Sequence, residues 1–414
     1  MDIYNQRISK YKKICCDVLL NIFATGASLI VLEVFIYPLI ARKLNSDIYG
    51  QMQTIVSLEY LIGATLGQAL STTRLVRQSE YERKNIQGDF PILAIVSIIM
   101  AVTITFFCLM FYFGLNGLDP NSYLLILLFS ILICGENYVE VGLRIELNYQ
   151  KILKCRCLSC VGYIIGFAVF CQCGYWEFVF IFSFLIQLVY CIKTTKIVKE
   201  NIQRTALLKT TTIEYFALTI STVLSKTLTY VDKLMLYPLL GGNTVSIYFT
   251  ATLMGKLVLK ALEPINNVIL SYMSKKTKIN RNLWMTALIV GVTFCIIAYI
   301  VCIEISKPIL SIFYPQWVDQ AMPLVPITTM VLCISALTSI LYPFSLKILN
   351  MIYQCFINGI CLLSYILLLF PLVNRYGVLG SCLALLFSYS IKLIIMIFLC
   401  FKNVSVTITK SEMK

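Results

Sequence analysis

The first long apolar run of the chain, residues 18–41, reads VLLNIFATGASLIVLEVFIYPLIA and carries a single charge, Glu33. A hydrocarbon core about 30 Å thick needs about 20 such residues in a helix. The run is therefore predicted to cross a membrane. Residues 1–17 before it are polar and basic, and the run is too long for the core of a cleavable signal peptide. We expect it to form the first membrane span.

The same pattern continues along the whole chain. Hydrophobic residues make up 59% of the 414 residues and charged residues 13%, with a mean hydropathy of +0.84, whereas soluble proteins carry about 25% charged residues. Further apolar runs lie near residues 50–72, 90–114, 122–147, 157–174, 177–195, 214–240, 247–272, 284–304, 323–346, 352–372 and 377–400. The sequence predicts an all-α integral membrane protein with about twelve transmembrane helices.

The basic residues predict the orientation of these spans. With the N-terminus inside, 24 of the 34 Lys and Arg residues lie in the inside segments and four lie in the outside loops. Cytoplasmic loops of membrane proteins carry such an excess, so both termini are predicted to be cytoplasmic. The net charge of +14 is assigned to these loops and not to nucleic-acid binding. The outside loops are too short for a sizeable catalytic domain.

A weak internal repeat predicts two halves. Tyr-Pro-Leu at residues 37–39 recurs at 237–239, and Ile-Tyr at 48–49 recurs at 247–248. Both matches flank the turn of a predicted hairpin, six spans apart, as in transporters built from parallel repeats; chance matching is the alternative. The predicted organisation is a cytoplasmic segment (1–17), a first six-helix lobe (18–200), a cytoplasmic inter-lobe loop (201–213), a second six-helix lobe (214–400) and a cytoplasmic tail (401–414).

Two stretches resemble the bacterial polysaccharide flippases. In residues 26–77 the resemblance lies in Ala41-Arg42-Lys43-Leu44, Ile48-Tyr49-Gly50, Gly63 and Gly67. In residues 222–275 it lies in Tyr230-Val231-Asp232-Lys233, Gly241, Ile247-Tyr248, Ala251 and Pro264. It covers four spans, and elsewhere only the number of spans agrees. Phe249 stands where the first repeat has Gly50.

The resemblance implies a fold, a location and a function. The fold would be the two-lobed, MATE-like architecture shared with multidrug and toxic-compound exporters. The location would be the bacterial plasma (inner) membrane. The function would be translocation of undecaprenyl-diphosphate-linked oligosaccharide by alternating access, for O-antigen or capsule biosynthesis, with a polysaccharide polymerase as a further partner.

Charged residues inside the spans are the candidate functional residues, because a charge at the bilayer centre costs about 2.5–3.5 kcal/mol on insertion scales. Lysine binds phosphate as a point charge, so the candidates for binding an anionic diphosphate or acidic sugars are Lys226, Lys233, Lys256, Lys260 and Arg144. Buried carboxylates often carry coupling ions, so the candidates for H+ or Na+ are Glu33, Glu59, Glu136, Glu140 and Asp232. Lys226 and Lys256 are predicted to lie near the midplane. Structural ion pairs, such as Glu140 with Arg144, are the alternative.

Other functions have less support in the sequence. There is no histidine, and Cys155-x-Cys157-x-x-Cys160 has no second pair to complete a zinc site, so we predict no metal and no cofactor. The absence of a Gly-x-x-x-x-Gly-Lys-Ser/Thr motif excludes a P-loop nucleotide hydrolase. A cation-coupled multidrug exporter, a polysaccharide polymerase or ligase, and a non-transporting scaffold remain as alternatives. The exporter would have less use for buried lysines, and the enzyme would need a larger outside loop.

Overall fold

A computed structural model describes residues 23, 26–114, 117–146, 148–275, 281–349 and 351–412. The predicted N-terminal segment, residues 1–17, lies outside these residues, as does part of the basic loop at 273–283. Within the described ranges the regular secondary structure is helical, without strands. This confirms the all-α prediction.

The helices follow one another in short succession. Their bounds are α1 (Gly26–Ala41), α2 (Ser46–Leu61), α3 (Gly63–Lys84), α4 (Asp89–Phe113), α5 (Pro120–Val139), α6 (Val141–Ile145), α7 (Tyr149–Cys173), α8 (Glu177–Thr194), α9 (Leu208–Lys275), α10 (Arg281–Phe313), α11 (Val318–Ala321), α12 (Val325–Ile348), α13 (Met351–Tyr376) and α14 (Val378–Glu412). Nine helices in the described ranges are long and apolar enough to cross a membrane. One of them, α9, contains two of the predicted spans.

Glycines separate helices where the sequence predicts turns. Gly174 (φ +81°) lies between α7 and α8, which were predicted as separate spans. Gly241 (φ +80°, ψ +174°) interrupts α9 between the predicted spans 214–240 and 247–272. A side chain disfavours such backbone conformations. The predicted span 50–72 differs, because it falls on two helices that meet at Ile62, and the second continues to Lys84.

The outward faces of the long helices are apolar. On α4, Phe107 and Phe111 are 66% and 82% exposed, and on α10 Ile289 is 60% exposed. Large apolar side chains exposed along a whole helix would be unfavourable in water but suit a lipid environment. The chain is therefore a multi-pass membrane protein.

The helices form two compact units. The first comprises the described residues up to 43 together with 54–226, and the second comprises 44–53 together with the described residues from 227. The predicted division at 201–213 differs from this in two places. Residues 214–226 belong to the first unit, and residues 44–53 belong to the second.

Buried polar contacts explain why the start of α9 belongs to the first unit. The Ser97 hydroxyl donates to the hydroxyl of the fully buried Tyr215 at 2.8 Å. The hydroxyls of Tyr81 and Thr211 lie 2.8 Å apart, and Arg77 forms an ion pair with Glu214.

The segment before α9 is held by the same unit. The Thr205 amide donates to the buried Asp89 carboxylate at 2.8 Å, and Glu200 pairs with the buried Arg74. Part of the predicted inter-lobe loop is thus packed onto the first unit.

Candidate functional site

Two lysines of the second unit meet at one aromatic ring. Lys233 precedes the Gly241 break in α9 and Lys256 follows it, so the break brings two arms of the chain together. The Lys256 Nζ lies 4.5 Å from the centre of the Phe249 ring, and the Lys233 Nζ lies 5.7 Å from it. Such cation–π contacts stabilise by about 0.5–2 kcal/mol but do not neutralise charge. The result is that two ammonium groups contact the same aromatic ring.

Both lysines are shielded from solvent. Lys233 is 6% exposed and Lys256 is half-buried. Asp232, next to Lys233, is also buried, but neutral groups occupy its two oxygens. Its Oδ2 accepts from the Tyr248 hydroxyl at 2.7 Å, and its Oδ1 accepts from the Lys233 amide at 2.9 Å.

The remaining lysine candidates are Lys226 and Lys260. Both are half-buried. Lys226 belongs to the first unit, whereas Lys256 belongs to the second. Lys233 and Lys256 share an aromatic contact, and the roles of Lys226 and Lys260 stay predictions.

Glu59 is a fully buried carboxylate of the first unit. It lies on α2 and is 0% exposed. The Thr105 and Ser130 hydroxyls lie beside it and 3.2 Å from each other. Neither carboxylate oxygen makes a well-formed hydrogen bond or ion pair with the described residues. The side chains beside the Glu59 carboxylate are thus small and polar, which suits the binding of a proton or a monovalent cation.

Two glycines let the helices pack closely beside Glu59. A Cβ on Gly63 would lie 3.3 Å from the Glu59 Oε2 and 2.5 Å from the Ile133 Cγ2. One turn along α3, a Cβ on Gly67 would lie 2.4 Å from the Cys134 carbonyl oxygen. Gly63 and Gly67 thus pack closely against α5 beside Glu59.

Glu136 and Glu140 lie in a different environment. Both are buried, and Arg156 on α7 forms an ion pair with Glu140 and reaches the Glu136 Oε1 at 3.7 Å. The Arg156 Nη1 also donates to the Gln187 Oε1 at 3.0 Å. Arg144 pairs with Glu140 at 3.1 Å, which confirms the i,i+4 pair considered for these residues.

Sequence reasoning missed Arg156 because it placed residues 148–157 in a loop. In the structure the Asn148 side chain accepts from the Lys151 amide at 3.2 Å and caps α7, so Arg156 lies two turns inside a helix. An Asn at this position is a recognised start signal. Glu33, the remaining acidic candidate, is buried in a π-helical turn of α1 at Val31–Ile36.

Solved structures with a similar fold are membrane transporters. The lipid II flippase MurJ, in an inward closed conformation, matches with a TM-score of 0.69 and 16% identity, covering 96% of this chain and 90% of that one. The chain has this fold. The eukaryotic MATE transporter AtDTX14 gives a TM-score of 0.67 and 12% identity, covering 96% and 99%.

An inward-facing MATE transporter of the MOP superfamily gives a TM-score of 0.64 and 12% identity, covering 94% of this chain and 95% of that one. No protein-family model and no curated protein matches the sequence. At these identities the likeness establishes the MurJ/MATE-like fold, in agreement with the predicted architecture.

Proposed function

We propose that the chain is a flippase that moves undecaprenyl-diphosphate-linked oligosaccharide across a bacterial plasma membrane by alternating access. The observation that carries this is the convergence of Lys233 and Lys256 on Phe249. Two shielded ammonium groups at one place favour an anionic ligand, and a diphosphate supplies several oxygens to them. A lipid II flippase shares the fold.

The acidic residues of the first unit divide between two roles. Glu59 is the proposed carrier of the coupling H+ or Na+, because it is fully buried beside two hydroxyls. Glu136 and Glu140 are assigned to structure, because Arg156 and Arg144 pair with them. Coupling would let an ion gradient drive the lipid in one direction.

Reconstitution of the purified full chain into liposomes tests the proposal. The probe is undecaprenyl diphosphate bearing a fluorescent disaccharide, and a membrane-impermeant quencher reports which leaflet it occupies. We expect the wild-type chain to move the probe between leaflets. Lys233→Gln and Lys256→Gln should each slow this movement about tenfold or more, since each removes charge-assisted hydrogen bonds to the phosphate.

The matched control is Lys307→Gln, which removes an exposed lysine of the same unit. It should leave the rate near that of the wild type. Absence of translocation by the wild-type chain, or equal rates in all three variants, would contradict the proposal.

A cation-coupled exporter of cationic compounds is the second candidate function. The fully buried Glu59 favours it, and MATE transporters share the fold. Ethidium efflux from cells that express the chain distinguishes the two. An exporter would lower ethidium accumulation in a manner that depends on Glu59 and not on Lys256, whereas the proposed flippase would leave accumulation unchanged.

A further inference from the structure

Residues 44–53, the start of α2 and the turn before it, are docked within the second unit by polar contacts. The Asp47 Oδ1 accepts from the Asn243 amide at 2.9 Å, at the start of the second arm of α9. The Ser46 carbonyl accepts from the Ser246 hydroxyl at 2.5 Å, and the Ser46 hydroxyl accepts from the Trp317 Nε1 at 2.8 Å. The rest of α2, from residue 54, belongs to the first unit.

Two glycines let the backbones touch at this dock. A Cβ on Gly50 would lie 1.8 Å from the Gly242 carbonyl oxygen, and a Cβ on Gly242 would lie 2.3 Å from the Asp47 carbonyl oxygen. Both obstacles are backbone atoms, which cannot rotate away. The close contact therefore depends on the absence of a side chain at both positions.

A chain of aromatic rings leads from the dock to the lysine pair. The Tyr49 ring lies 5.0 Å from the Trp317 ring and 6.0 Å, edge-on, from the Phe249 ring. The Phe249 ring also meets the Tyr314 ring at 6.5 Å. Phe249 thus contacts Tyr49 as well as the ammonium groups of Lys233 and Lys256.

We propose that an anion bound at Lys233 and Lys256 controls the release of residues 44–53 from their dock, with Phe249 as the positioning residue. This inference rests on the proposed function. An anion would draw the ammonium groups away from the Phe249 ring, because a full negative charge attracts them more strongly than a ring quadrupole does. The Phe249 ring would then no longer be fixed against Tyr49, which weakens the contact of residues 44–53 with the rest of the second unit.

Trp317 offers a direct readout, because it is 3% exposed and packs on Tyr49. The experiment records the tryptophan emission of the purified full chain in detergent as geranylgeranyl diphosphate is added, with uncharged geranylgeraniol as the matched ligand. We expect the diphosphate alone to shift the emission to longer wavelength and to increase quenching by acrylamide. Trp317→Phe should abolish the change, which assigns it to this residue among the three tryptophans.

The decisive variant is Phe249→Leu, with Phe249→Met as a second variant that keeps the apolar volume if the first folds poorly. Saturable diphosphate binding should remain measurable, since the lysines are intact, while the Trp317 shift is lost even at saturating diphosphate. Phe387→Leu, which alters an exposed ring on α14, should keep both.

The other outcomes overturn the inference in distinguishable ways. Two results would refute the coupling between the anion site and residues 44–53 and leave the proposed function standing. One is lysine-dependent diphosphate binding without a shift in Trp317 emission, and the other is a shift that persists in both Phe249 variants. Diphosphate binding that is absent, or unaffected by Lys233→Gln and Lys256→Gln, would refute the anion site and the coupling with it.

Discussion

Glu59 and Glu140 are both shielded from solvent in the first unit, at 0% and 3% exposure, yet their neighbours differ. Around Glu140 are two guanidinium groups, those of Arg144 and Arg156. Around Glu59 are the hydroxyls of Thr105 and Ser130. Burying a charge is costly unless it is paired, so the paired glutamate can stay ionised throughout, whereas the other is suited to exchange a proton or cation. Burial alone therefore does not identify a functional carboxylate.

The largest effect on stability should come from removing the arginine that pairs with Glu136 and Glu140. Arg156→Met leaves Glu136 and Glu140 buried without their main partner, and removal of one member of a buried pair costs about 3–5 kcal/mol. The apparent Tm in detergent should fall clearly. Arg144→Met is the matched control: its side chain is 45% exposed, and such pairs contribute at most about 1 kcal/mol. Equal Tm values for the two variants would show that Arg156 does not stabilise the cluster.

A smaller loss of stability should follow from adding a methyl group beside Glu59. Gly63→Ala places a methyl group against Ile133 and near the carboxylate, and overpacking of this kind costs about 1–3 kcal/mol. Gly359→Ala on α13 is the control, because no atom lies within 4 Å of its Cβ position. Adding Ile133→Ala to Gly63→Ala should restore part of the lost Tm. No difference between the two alanine variants would mean that the site is not tightly packed.

The smallest effect on stability is expected at Glu59 itself. Glu59→Gln removes a buried carboxylate that lacks a cationic partner in the described residues, so the free energy of unfolding should change by less than about 1 kcal/mol. Translocation driven by a proton or sodium gradient should nevertheless be lost. The comparison variant Glu140→Gln should show the reverse, a lowered Tm with gradient dependence retained. If Glu59→Gln lowers the Tm as much as Arg156→Met does, Glu59 is structural.

Local features were predictable from the sequence. Apolar runs predicted the helices, because a membrane span depends on composition over about 20 residues. Gly174 and Gly241 lie between predicted spans, and the structure ends or interrupts a helix at each of them. The Glu140–Arg144 pair follows from i,i+4 spacing. These features need no knowledge of which helices are neighbours.

Contacts between distant segments were not predictable in the same way. Arg156 meets Glu140 because α5 and α7 both pack on α8. The sequence singles out Phe249 only as a departure from the first repeat, and its contact with two lysines depends on the tertiary structure. The docking of Gly50 on Gly242 joins residues from opposite halves of the sequence. The membrane orientation, the equivalence of the two repeats and the substrate stay predictions.

The contacts that bind the start of α9 to the first unit suggest that the backbone can be interrupted just before this helix. Residues 201–204 are exposed and non-helical, while Glu200 before them and Thr211 and Tyr215 after them are bound to the same unit. Cleavage of the backbone at 201–204 would thus leave two polypeptides that share one buried interface. We expect the protein to assemble from two co-expressed fragments that are divided at this point. An insertion at 201–204 should likewise leave the packing inside each unit intact.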